Sequence, residues 1–138
     1  MSKEPLLTFE SRGDITSAII RSSSVLDALN VVTFGKEVVE YVREHHIKNL
    51  LLDFRHVTYL SSAVLTELIR VKEMLEEDKG NLRLCALNAD IKKVFEITNL
   101  DSFFVIYDSA DDAVKRFKRS LMIQAQDEAW ADELPEGQ

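Results

Sequence analysis

Cysteine occurs once, proline twice and glycine four times in 138 residues, and each scarcity excludes something. The single thiol, Cys85, has no partner in the chain, so no internal disulfide forms and nothing points to an oxidising compartment. Gly13, Gly35, Gly80 and Gly137 lie too far apart to build a glycine-rich phosphate loop. The only histidines are His45, His46 and His56, and neighbouring helical residues point to different sides. They make no metal set, and a solvated helix end favoured by the helix dipole accounts for the first two. No apolar run approaches the length of a membrane span. Met1 to Thr8 lacks the apolar centre of a signal peptide, so secretion and membrane insertion are disfavoured and the cytoplasm is the expected location. The formal charge of -7 would repel nucleic acid and anionic membrane surfaces, which leaves basic protein surfaces as the better partners.

What is present is enough for one core: 138 residues with 46% apolar content suit a single domain. Leu6 to Arg12 and Ile15 to Ser22 read as strands joined by Gly13-Asp14, a hairpin pair. Phe34, Val38, Tyr41 and Val42 fall on one helical face, and the helix they predict ends near His45. Asn49 to Phe54 is short and almost continuously apolar, as expected of a central strand covered on both faces. Val64, Leu68, Val71 and Leu75 then repeat at helical spacing, with serine as the N-cap and Gly80 as a left-handed C-cap. Leu82 to Ala86 predicts a strand. Asn88 predicts the cap of a short helix with Ile91, Val94 and Phe95 inward, and Phe103 to Ile106 a last strand. Ser109, Asp111 and Asp112 open a final helix bearing Ala113, Val114 and Phe117. The expected fold is α/β: a mostly parallel central sheet, an N-terminal β-hairpin and about four helices, because parallel strands need helical crossovers. The domain is expected to span residues 1–119. Residues 120–138, with five acidic side chains from Asp127 to Glu136 and no lysine or arginine, are expected as a tail that is helical first and disordered last.

Few residues carry candidate chemistry. Cys85 falls in a buried strand and reads as a small core residue. Asp108, Asp111 and Asp112 read either as a metal cluster or as charges compensating a helix N-terminus, the second being favoured. Asp27 and Asn30 either help form a partner surface or serve a turn. Trp130 and Leu134 pack either on a partner or back on the domain. No catalytic triad can be argued, and no cofactor or metal is expected. The turn at Ser61 and Ser62 stands apart, because it joins the central strand to a serine-capped helix.

Around that turn, Val57-Thr58-Tyr59-Leu60-Ser61-Ser62-Ala63-Val64-Leu65 follows Leu51-Leu52-Asp53-Phe54. It precedes the run Leu82 to Leu84 and the segment Val94 to Leu100. This ordered set resembles the STAS domains of bacterial anti-sigma factor antagonists, over roughly Leu6 to Phe117. The resemblance implies a non-enzymatic binding domain whose partner is both serine kinase and anti-sigma factor. Matching the family's turn through Leu65 places the phosphoacceptor at Ser62. Ser61 then stands where the family has aspartate, and Val64 where it has glycine. The implied partner surface comprises Asp27, Asn30, Tyr59, Ser61, Ser62, Ala63 and Val64.

A phosphate on Ser62 would add about -1.5 to -2 charges at a helix N-terminus, where free amides and the dipole accept it, while an interface laid over the turn would be disturbed. Without the resemblance, Ser61 or Ser62 is simply an N-cap worth on the order of 1 kcal/mol. Two further readings remain: a phosphorylation-independent STAS scaffold module, and a small-ligand or nucleotide-binding STAS domain. Self-pairing as a homodimer is left open.

Overall fold

The computed structural model describes residues 6–21 and 31–133. Strands β1 (Leu7–Arg12) and β2 (Ile15–Ile20) form the opening hairpin. Gly13 at its tip takes a φ of +73°, a conformation that glycine adopts without steric cost. The strands therefore pair antiparallel, with Leu7 opposite Ile20 and Arg12 opposite Ile15. Then come α1 (Val31–Glu44), β3 (Asn49–Asp53), α2 (Ser62–Glu77), β4 (Asn81–Cys85), α3 (Ala89–Ile97), β5 (Val105–Tyr107) and α4 (Ala110–Glu133). The sheet order is β1-β2-β3-β4-β5, and β2 through β5 are parallel. The α/β fold expected from the sequence is the one observed, with β3 at its centre.

Crossovers between parallel strands keep one hand, so a sheet laid down in sequential order collects its crossover helices on one face. Phe34 and Val38 of α1, Leu68 and Val71 of α2, and Ile91 and Phe95 of α3 accordingly share a core with Leu50, Leu52, Leu82 and Leu84. The other face is covered by α4, whose Ala113 and Phe117 meet Ile15, Leu51, Cys85 and Tyr107. Because β3 sends Leu50 and Leu52 one way and Leu51 the other, its apolar run is continuous. Arg83 fastens α4 to the sheet: its guanidinium lies 4.4 Å from the Phe117 ring centre and donates to the Tyr107 hydroxyl (2.7 Å) and Ser120 Oγ (3.0 Å).

Several local expectations are corrected. The left-handed residue closing α2 is Lys79, with a φ of +61°, not Gly80. Gly80 is required for a different reason, since a Cβ there would sit 2.3 Å from the Lys48 carbonyl oxygen, closer than any side chain tolerates. Val94, expected inward, is 37% exposed beside the fully buried Phe95. The last strand begins at Val105, not Phe103, because the amides of Phe103 and Phe104 both donate to the Leu100 carbonyl in a turn (3.1 and 2.9 Å). Phe104 is instead drawn into the core, edge-on to Phe95 at 6.0 Å. Apart from these corrections, helix α4 runs unbroken from Ala110 to Glu133.

Candidate functional site

The turn between β3 and α2 lies at the carboxyl ends of the parallel strands, the edge where open α/β sheets present their binding residues. It is anchored at both ends. At its start, Asp53 is fully buried, and its carboxylate accepts from the Arg55 backbone amide (2.9 Å) and from Arg55 Nε (2.9 Å) and NH2. The bond to Asp53 holds the Arg55 guanidinium protonated beyond its ordinary range, against the opposing effect of burial. Val57 and Leu60 turn inward, and Val64 and Leu65 bury the underside of the first turn of α2.

Asn88 ties the middle of the turn. Its Oδ1 accepts from the Ile91 amide (2.8 Å) and so caps α3, as the sequence predicts. Its Nδ2 donates to the carbonyls of Val57 (3.3 Å) and Thr58 (3.4 Å), a second role that no spacing rule signals. Two polar tethers therefore hold the loop that leads to Ser62.

Ser62 is the first residue of α2 and is exposed, as is Ala63, and Tyr59 stands out at 59% exposure. Ser61 occupies the N-cap position with extended backbone (φ -86°, ψ 161°), but its side chain makes no capping bond. Its Oγ is buried without a hydrogen-bond partner, so the expected serine cap is formed in backbone geometry only. Val64 corrects a second expectation. Placed by the resemblance on the partner surface, it is fully buried, as its helical spacing with Leu68 and Val71 implies, and its side chain packs into the core beneath the helix. It offers nothing to a partner and does not obstruct one. Asp27 and Asn30 lie outside the described residues.

Asp108 and Asp112 have structural roles, while the side chain of Trp130 and the whole of Leu134 lie outside the described residues. Asp108 pairs with Lys92 (3.2 Å) and Asp112 with Arg116 (3.1 Å), while Ser109 Oγ accepts from the Asp112 amide (3.2 Å) and caps α4. Among the described residues, no group of three or more His, Cys, Asp or Glu side chains could hold a metal. Cys85 is buried beside Leu51, and desolvation pushes its thiol up to about 12. No helix among the described residues is long and apolar enough to cross a membrane.

This architecture is that of a known class. The STAS domain family model matches residues 7–113, and the chain belongs to that family. It is 34% identical over 74 residues to BtrV of Bordetella bronchiseptica, which is assigned as an anti-sigma factor antagonist. That match covers 54% of this chain and 64% of BtrV, so the chain spans somewhat less than two thirds of this relative's length. A Thermotoga maritima structure assigned as an anti-sigma factor antagonist superposes with a TM-score of 0.72 at 21% identity, over 80% of this chain and 92% of that one. The Bacillus cell fate determinant SpoIIAA in its phosphorylated form gives a TM-score of 0.63 at 14% identity, over 80% of this chain and 98% of that one. At these identities the structural likeness concerns the fold. The fold is thus the one shared with these anti-sigma factor antagonists.

Proposed function

We propose that this chain is a non-enzymatic binding domain of the anti-sigma factor antagonist kind. Its β3–α2 turn engages a partner that is both serine kinase and anti-sigma factor, and phosphate on Ser62 releases that partner. The observation that carries the reading is the placement of Ser62: exposed on the first turn of α2, on a loop fixed from below by Val64, Leu65 and Asn88. A hydroxyl so held is accessible to a kinase, and the added charge falls where free helix amides accept it. The domain stays folded. A partner resting on Tyr59, Ser62 and Ala63 must desolvate the phosphate or meet it with a cation. BtrV and SpoIIAA, the latter known in a phosphorylated form, support the same reading.

Ser61, where the family has aspartate, favours a second reading in which the turn binds its partner without phosphorylation. Incubating the full chain with the cognate anti-sigma kinase and Mg-ATP, followed by peptide mass mapping, separates the two. Phosphate on Ser62 is expected. Unmodified Ser62 alongside a control antagonist that the same kinase does modify would overturn the switch.

A further inference from the structure

Helix α4 is longer than the sheet it covers. Its 24 residues span about 36 Å. Ala113 and Phe117 are buried and Leu121 is partly so, but every residue from Met122 to Glu128 is exposed. Seven consecutive residues take a helix through almost two turns, so they point in all directions. Nothing in the described chain therefore covers this segment, including Met122 and Ile123, which are 64% and 52% exposed. A helix without tertiary support is marginal in water. Acidic charge near its C-terminus, with no basic residue in its last turn, makes it less stable still.

The charge pattern supplies the missing support. Arg116, Arg119, Ile123 and Asp127 follow one another at spacings of three, four and four, so they share one side of the helix. Among the described residues, Arg119 and Asp127 have no ion-pair partner, while Arg116 pairs with Asp112. Two positive charges, an apolar centre and a negative charge become their own complement when the helix is reversed.

We propose that this half of α4 is a homodimerisation surface, occupied by α4 of a second copy running antiparallel. The two Ile123 side chains lie near the two-fold axis, and each Asp127 faces the Arg116–Arg119 pair of the other copy. A two-fold interface repeats each contact, so one complementary pair acts twice. The surface sits far from the binding turn: Leu121 and Ala125 border a cleft with Lys48, Asn49, Lys79 and Asn81, where β3 and β4 begin, whereas Ser62 lies beyond the end of β3. A dimer so formed leaves both Ser62 turns free and presents them together, which makes it bivalent toward any multimeric partner. A few helical turns from each copy form a small interface, so the dimer is weak and concentration-dependent.

Sedimentation velocity on the full chain, from about 1 to 300 µM, covers the range expected of such a contact. The wild type is expected to pass from monomer to dimer, and Ile123→Glu to remain monomeric. Arg119→Glu alone and Asp127→Arg alone should each weaken pairing by about fivefold or more, since the lost contact occurs twice. Mixing the two variants restores attraction in both contacts and should recover the dimer, with circular dichroism verifying that each variant is folded. A wild type monomeric throughout, a dimer indifferent to Ile123→Glu, or a mixture no tighter than its separate components would overturn the proposal.

Discussion

Asn88 holds the Val57 carbonyl with the same side chain that caps α3, joining two segments 31 positions apart in sequence. The two duties can be separated by substitution. Aspartate caps a helix as well as asparagine but has no amide to donate. Asn88→Asp should keep α3 intact, lose about 1 kcal/mol of stability and raise amide exchange in residues 57–62. Asn88→Ala loses the cap as well and should cost about 2 kcal/mol in all. Urea denaturation with hydrogen exchange reads both. An Asn88→Asp variant as stable as the wild type, with unchanged exchange at the turn, would show that the amide bonds contribute nothing.

Ser61 provides a test of opposite sign. Its hydroxyl is buried and unpaired, so Ser61→Ala removes an unsatisfied polar atom and should leave stability unchanged or raise it by about 1 kcal/mol. A working serine cap would instead cost about 1 kcal/mol on the same substitution. The direction of the shift in urea midpoint decides which holds in solution.

Arg55 shields a buried carboxylate. Removing it by Arg55→Ala leaves the Asp53 carboxyl fully buried and without its ion-pair partner. Because the Arg55 side chain is itself 45% exposed, the loss is expected at about 2 kcal/mol, below the range for fully buried pairs. Arg55→Lys should recover only part of it, since lysine cannot reproduce the forked contact. Full recovery by lysine would indicate that charge alone matters.

Cys85 should be silent toward thiol reagents at pH 8 in the folded protein and react once it is unfolded. Its folded thiol is raised from 9.0 to about 12, so in the relevant range the unfolded chain releases a proton that the folded chain keeps. Its contribution is complete below pH 9 and declines as pH climbs from about 9 toward 12. Denaturation curves for wild type and Cys85→Ala should therefore converge across that window. Parallel pH profiles would count against a raised thiol.

The frame of the fold was legible because burial imposes periodicity. Phe34, Val38 and Val42 recur at four-residue spacing along α1, and Leu50 to Leu52 have no polar interruption because β3 is covered on both faces. Ser62 and its exposed neighbours were legible as a helix start. What escaped was whatever depends on contacts distant in sequence. Val64 shares its helical spacing with Leu68 and Val71, yet the resemblance also put it on the partner surface, and the packing of α2 on the sheet decides between the two. The reach of Asn88 to Val57 and the approach of Lys48 to Gly80 likewise follow from the way neighbouring elements meet. The half-buried Asp53–Arg55 pair left a faint signal, two opposite charges at the end of an apolar strand.

The central claim is that Ser62 governs binding from a turn that stays folded. The most direct measurement titrates wild type, Ser62→Ala and Ser62→Asp against the purified anti-sigma kinase by calorimetry, with thermal unfolding run in parallel. The account predicts that Ser62→Ala binds like the wild type, while Ser62→Asp loses at least about tenfold in affinity, on the order of 1.4 kcal/mol, with its melting temperature little changed. Equal affinity for all three, or a weaker Ser62→Asp that has also lost its fold, would contradict it.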